Sequence, residues 1–279
     1  MIDTKKIKIF RQFEKILTAN FINDYDCLMR GNIGETVSVE IGREVRNIYV
    51  NYEGKKYNFY LKRNWQEVPL IWTVKKILRG KLQHSKTYQE LQAINLLIKE
   101  NFPVMKPVAW GERRVLTTPV EGFLLVEAVA GESAETYWRL NEYNVRLRLM
   151  QDIGTLLGKL NVAGFFAWVR LKDIICSDIP SDPQQSIPLT LIDRECSKDR
   201  KQKFTPGNCY QCLAECYGYL LKIDPTPTRR EILVFIRSYL AETQTYGLNS
   251  KKLVSEVKCE LDRLSKKPGP FRYLINRDF

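Results

Sequence analysis

The apolar residues of this 279-residue chain change their spacing once, and that change limits the fold more than any other feature. Over residues 36–63 the run TVSVEIGREVRNIYVNYEGKKYNFYLKR alternates β-branched and aromatic residues with polar ones, punctuated by Gly42 and by Glu53-Gly54-Lys55. A period of two with tight punctuation predicts two or three antiparallel strands. VMKPVAWGERR and FLLVEAVAG predict two more, the second ending at Gly131. Beyond Gly131 the period lengthens. Val145, Leu149, Ile153, Leu156, Leu157 and Leu160 predict a long helix over 141–163, and further helices are expected over 208–223, 228–243 and 250–264.

Three smaller features complete the outline. Ile7, Phe10, Phe13, Ile16 and Leu17 lie near helical spacing and predict an amphipathic helix within 1–30, with a polar break at Asn23-Asp24. A helix over 85–101 carries Leu91, Ile94, Leu97 and Ile98 on one face, with Ser85 and Thr87 as candidate N-caps. DIICSD and LTLIDRE flank a Pro-rich turn at 180–188 and are candidates for a hairpin. The expected fold class is α+β in two lobes. A helical extension (1–30) precedes a lobe of mainly antiparallel sheet with one helix (31–130), and a mainly helical lobe follows (131–279).

Composition bounds the chemistry. Hydrophobic residues are 44% and charged residues 27%, an ordinary globular balance. No apolar run reaches the roughly 18 residues of a membrane span, and MIDTKKIKIFRQFEKIL lacks the apolar stretch of a signal peptide. The expectation is a cytoplasmic protein. Forty-four Lys and Arg against 32 Asp and Glu leave a net charge of +12, which attracts phosphates, acidic lipids or nucleic acid. Seven cysteines without an export signal point to reduced thiols. The single histidine, His84, disfavours a Ser-His-Asp hydrolase or a multi-histidine metal site.

Candidate residues stand out against this outline, each with a plainer alternative. Lys62 closes the third strand and shares a face with Tyr60, so it either holds phosphate oxygens or snorkels to water from a strand end. Glu90, on the following helix, is its obvious charge partner. Asp193 directly follows Leu189-Thr190-Leu191-Ile192, at a strand's mouth; it is a metal-phosphate ligand or a turn former. Cys209, Cys212 and Cys216 share one helical face, as zinc ligands with Cys196 as a speculative fourth, or as small hydrophobes facing the core. Between Leu61 and Lys86 seven Lys or Arg and one acid, Glu67, are interleaved with Trp65, Leu70, Ile71 and Trp72. Lys198, Arg200, Lys201 and Lys203 form a second basic cluster. These suit an anionic membrane surface or are simply a solvated face. No nucleic-acid motif accompanies them, so nucleic acid is not the expected partner.

In this arrangement the chain resembles the lipopolysaccharide kinase (Kdo/WaaP) family, which has a protein-kinase-like fold. The resemblance runs from about residue 40 to 240. It is carried by Phe59-Tyr60-Leu61-Lys62-Arg63, Leu78-Arg79-Gly80 with Ser85, and Glu90. It continues through Phe102-Pro103-Val104-Met105-Lys106-Pro107-Val108-Ala109-Trp110-Gly111-Glu112, Leu125-Val126-Glu127, Gly164-Phe165 and Leu191-Ile192-Asp193-Arg194. It implies an ATP- and magnesium-dependent kinase acting on a sugar hydroxyl of an acidic membrane glycolipid, at the inner face of the cytoplasmic membrane. Lys62, oriented by Glu90, would meet the α- and β-phosphates, backbone groups from Glu127 to Val129 the adenine, and Asp193 the magnesium.

The chain departs from the family at the catalytic loop. A segment of the form Gly-Phe-x-His-x-Asp-Leu is replaced by Gly164-Phe165-Phe166-Ala167-Trp168-Val169-Arg170-Leu171, which puts Ala167 at the histidine position and Val169 at the base position. Asp173 then resembles the metal ligand of a shortened loop, or takes the base position with Asp178 as ligand. A base contributes about 10²- to 10⁴-fold to rate, so the alternative to an active kinase is a pseudokinase that binds nucleotide without turnover. The phosphate loop is also reduced to one glycine, in Ile41-Gly42-Arg43-Glu44.

Overall fold

The structure is a computed structural model and describes residues 3–65, 85–115, 118–167, 169–177, 185–193, 201–266 and 269–271. The chain divides into two compact units, Met1–Val129 and Ala130–Phe279.

In the first unit the described strands are β1 (Asp3–Ile9), β2 (Glu35–Glu40), β3 (Arg43–Tyr52), β4 (Lys55–Trp65), β5 (Pro107–Val115) and β6 (Thr118–Glu127). They form one sheet in the order β1-β5-β6-β4-β3-β2, with antiparallel neighbours throughout. Alternation sorts β4 cleanly. Phe59 and Leu61 enter a core made with Phe123 and Leu125 of β6 and Ile48 and Val50 of β3. Helices α1 (Glu14–Ala19) and α2 (Tyr25–Arg30) close that face through Ile16, Leu17, Leu28 and Met29, and Phe13 meets Phe59 edge-on at 5.9 Å. Arg63, next on the same face, is buried and donates to the carbonyls of Leu28 (2.8 Å) and Gly31 (2.5 Å) and to Glu44 (3.0 Å). A guanidinium at the C-terminal end of α2 thus satisfies carbonyls that the helix leaves open.

The expected single helix within 1–30 is not what forms. Lys5-Lys6-Ile7-Lys8-Ile9 also carries a period of two, and β5 offers it an edge to pair with, from Lys5 opposite Arg113 to Ile9 opposite Ala109. Ladder hydrogen bonds to a sheet edge outweigh a weak helical preference. The polar break does have a structural role: the Asp24 carboxylate accepts from the Cys27 N–H at 2.8 Å and caps α2.

Helix α3 (Lys86–Lys99) lies against β4, β5 and β6, and its N-cap is Ser85, whose hydroxyl accepts from the Tyr88 N–H at 3.1 Å.

The second unit has a small antiparallel sheet, β7 (Glu132–Ser133), β8 (Ile174–Cys176) and β9 (Leu189–Leu191), in which β8 and β9 pair from Ile174 opposite Leu191 to Cys176 opposite Leu189. The two apolar pieces flanking the Pro-rich turn therefore meet as a strand pair. Five described helices follow or flank it: α4 (Ala134–Leu140), α5 (Tyr143–Val162), α6 (Pro206–Leu220), α7 (Arg229–Thr243) and α8 (Ser250–Ser265). Helices α5 and α7 approach closely because Gly154 and Gly158 face α7. A Cβ at Gly154 would stand 2.5 Å from the Phe235 carbonyl oxygen.

This contact reverses an ordinary expectation. Gly154→Ala raises helix propensity by about 1 kcal/mol but drives a methyl into backbone, so it should destabilise by about 1–3 kcal/mol. Gly207→Ala, with open space at the start of α6, should instead stabilise by about 0.4–1 kcal/mol. Thermal denaturation of the two variants should shift in opposite directions.

Candidate functional site

In the first unit the site is built around a buried ammonium group. Lys62 faces away from the Phe59–Leu61 core, toward α3, and only 8% of the residue is exposed. Its Nζ lies 2.5 Å from Glu90 Oε1. Burying either charge alone would cost several kcal/mol, so each makes the other tolerable. The register of α3 is what delivers Glu90. Ser85 caps the helix, and its own N–H donates to Glu112 Oε2 at 3.1 Å; Glu112 is in turn ion-paired with Arg114. One turn on, the Tyr88 ring packs on Trp110 with centroids 5.0 Å apart. Both partners of α3 come from β5, in the segment Trp110-Gly111-Glu112.

The unit ends in a short segment after β6. The Glu127 N–H donates to the Lys106 carbonyl and the Ala128 N–H to the Asn58 carbonyl, each at 2.9 Å. The Glu127 carboxylate lies 3.8 Å from Lys106 Nζ. The backbone path through Glu127 and Ala128 is thereby set by neighbouring segments of the unit.

In the second unit Gly164, at φ 93°, turns the chain out of α5, and the loop runs through Ala167 and Val169, both buried, to a 3₁₀ turn at Leu171–Asp173. The two residues that the sequence reading sets at the family's histidine and base positions are thus packed in the interior. Asp173 is also buried, and Arg170 grips it with two hydrogen bonds, Nε to Oδ2 at 2.5 Å and Nη2 to Oδ1 at 2.9 Å. Burial pushes the Asp173 carboxyl up; Arg170 opposes that, and the charge of Asp193 adds to it. Asp193 reaches this neighbourhood through the strand pair: the Ile192 N–H donates to the Asp173 carbonyl at 2.8 Å, one residue before Asp193. Asp193 itself is left-handed, at φ 55°, a conformation in which aspartate is enriched among non-glycine residues.

The structure thus joins Lys62 to Glu90 and brings Asp193 beside Asp173. Sequence reasoning missed Arg170, although its place three residues before Asp173 in Arg170-Leu171-Lys172-Asp173 was a usable signal for an ion pair across one turn. It also missed Asn161, a polar residue on the buried face of α5. Cys209, Cys212 and Cys216 all point into the core of the second unit. Among the described residues no cluster of three or more metal-ligating side chains occurs. Asp178, His84, Leu78-Arg79-Gly80, Trp168, Arg194, Cys196, Lys198 and Arg200 lie outside the described residues, as does most of the basic Leu61–Lys86 stretch.

A sheet unit with a buried strand lysine tied to a helix glutamate, followed by a helical unit with paired aspartates at β8 and β9, is a protein-kinase-like fold. The chain belongs to the lipopolysaccharide kinase (Kdo/WaaP) family, whose model matches residues 35–204. Family membership makes it a kinase of lipopolysaccharide biosynthesis and implies the use of ATP. Among solved structures it resembles WaaP in complex with acyl carrier protein, at 18% identity and a TM-score of 0.61 over 94% of this chain and 100% of that one. The Mycobacterium tuberculosis PknI kinase domain matches at 12% identity and a TM-score of 0.39, over 82% of this chain and 94% of that one. The bifunctional kinase-methyltransferase WbdD matches at 15% identity and a TM-score of 0.38, over 74% and 47%. No curated protein matches the chain.

A divalent metal ion is typical of kinases, and the donor set here is of a kind that suits magnesium. Asp173 and Asp193 offer hard oxygen donors, and magnesium is typically held by one or two carboxylates together with substrate phosphates. The two bonds from Arg170 leave a lone pair on each Asp173 oxygen.

The Arg170–Asp173 pair should behave as a buried ion pair. Arg170→Met alone strands a desolvated carboxylate and should cost about 3–5 kcal/mol. Adding Asp173→Asn should recover part of that loss. A double-mutant cycle read by urea denaturation checks the coupling; additive single effects would show that the pair contributes nothing.

Proposed function

We propose that this protein is an ATP-dependent kinase that transfers the γ-phosphate to a sugar hydroxyl of an acidic membrane glycolipid of the lipopolysaccharide type. The buried Lys62–Glu90 ion pair is the observation that carries this reading. Folding an ammonium group into a sheet face costs free energy that no solvated lysine pays, and a phosphate-binding role accounts for it. Lys62, held by Glu90, meets the α- and β-phosphates. Glu127 and Val129 meet the adenine through their backbone groups. Asp193, with Asp173, holds magnesium, which when bound neutralises charge on the phosphate oxygens. With Asp178 as the ligand instead, Asp173 takes the base position and accepts the proton of the acceptor hydroxyl. Burial raises its affinity for that proton, while Arg170 keeps it ionised beforehand and holds its orientation. The net charge of +12 favours an anionic acceptor and peripheral contact with the inner face of the cytoplasmic membrane. Among the described residues no helix is long and apolar enough to cross a membrane.

A second reading, a pseudokinase, is favoured by one specific observation: Ala167 and Val169 are buried where the family has its histidine and base. The two readings separate on a single preparation. An active kinase releases ADP when lipopolysaccharide is added, and Lys62→Ala or Asp193→Asn should each lower that rate by about 10²-fold or more. Asp173→Asn should lower it by about 10²- to 10⁴-fold. For the pseudokinase, magnesium-ATP should raise the melting temperature, by about 2.7 kcal/mol of stabilisation at a hundredfold excess over Kd, with no phosphate transferred.

A further inference from the structure

The loop between α5 and β8 is held by side chains that the proposed chemistry does not use. Asn161, near the end of α5 and fully buried, donates from Nδ2 to the Phe165 carbonyl at 2.9 Å, and the Tyr239 hydroxyl of α7 donates to its Oδ1 at 2.8 Å. Cys212 of α6 donates its thiol hydrogen to the Ala167 carbonyl, with sulfur and oxygen 3.7 Å apart, and its sulfur lies 3.7 Å from Asn161 Nδ2. One turn further along α6, Cys216 Sγ accepts from the Val169 N–H at 3.3 Å. The backbone is therefore gripped at residues 165, 167 and 169. All four side chains are buried, and they come from three helices of one packed unit. Hydrogen bonding to Cys216, together with burial, pushes the Cys212 thiol well up, so it stays a neutral donor.

We propose that Asn161, Cys212 and Cys216 are positioning residues for phosphoryl transfer. This assignment rests on the kinase reading above. A segment without regular secondary structure has no ladder of its own to fix its path, and the three residues between Val169 and Asp173 leave little slack between the last grip and the reacting carboxylate. The thiols and the amide transfer the rigidity of α5, α6 and α7 to Arg170 and Asp173. Thiol hydrogen bonds are individually weak. Their effect is geometric, because a displacement of about 1 Å in a reacting group can cost about 10²-fold in rate. Three residues spaced for a metal site on one helical face thus divide by function: Cys212 and Cys216 reach the loop, while Cys209 interacts with Tyr239.

The test compares Cys216→Ala, Cys216→Ser and Leu261→Val in the full-length chain, with ATP and lipopolysaccharide as substrates. Leu261→Val loosens the packing of α8 on α6 without touching the loop and controls for loss of stability. Cys216→Ala should lower kcat about tenfold while KM for ATP changes less than about twofold. Cys216→Ser restores an acceptor for the Val169 N–H and should recover most of that loss. Leu261→Val should leave kcat unchanged. Equal kcat for wild type and Cys216→Ala, or no recovery in Cys216→Ser, would overturn the proposal. If the wild type shows no turnover the kinase reading has failed, and amide hydrogen exchange at Val169, resolved by NMR, decides the positioning role by itself. Exchange about tenfold faster in Cys216→Ala and slow again in Cys216→Ser supports it, and identical exchange in all three proteins refutes it.

Discussion

A lysine ammonium folded into the face of a sheet needs an anion within hydrogen-bond reach, and much of the first unit serves that requirement. Glu90 can only answer Lys62 if α3 starts at the right residue and lies at the right height on the sheet. Ser85 sets the start by capping the helix, while Glu112 and Trp110 of β5 hold Ser85 and Tyr88. The opposite face of β4 must be closed as well, or Phe59 and Leu61 would be exposed. Helices α1 and α2 close it, and Arg63 ties the end of α2 to the strand. One strand thus carries two buried cations on opposite faces, each with its own set of oxygen partners.

The second unit applies the same logic to a carboxylate. Asp173 is buried, which alone would favour its neutral form, and Arg170 supplies the compensating charge. The pair sits at the start of β8, where the antiparallel pairing with β9 carries Asp193 alongside. The loop before it is gripped at residues 165, 167 and 169 by Asn161, Cys212 and Cys216, and the side chains of Ala167 and Val169 pack in the interior.

Much of this was legible in the pattern of residues. The strands of β3, β4 and β6, the cap at Ser85, the long helix α5 and the pairing of β8 with β9 all follow from period, punctuation and capping chemistry, which are local properties. Lys62, Glu90 and Asp193 drew attention as charged residues at strand ends or on a helix, and Asp173 through the family resemblance. The N-terminal strand was not legible, because Lys5 to Ile9 supports two periods equally and only the edge of β5 selects between them. Arg170 was not legible as a partner because a basic residue near an acid in sequence is commonplace, and only burial makes the pair obligatory.

What the sequence determined by itself is therefore the order and kind of elements, together with the residue types available to handle phosphate and metal. Those follow from preferences that act within a few residues along the chain. What only the tertiary structure decided is which polar groups lose contact with water and with whom they are left: Lys62 with Glu90, Arg63 with the end of α2, Asp173 with Arg170, and the thiols of α6 with a loop some 45 residues earlier in the chain. Desolvation depends on what packs above a side chain, and that is a property of the whole fold rather than of any short stretch of it.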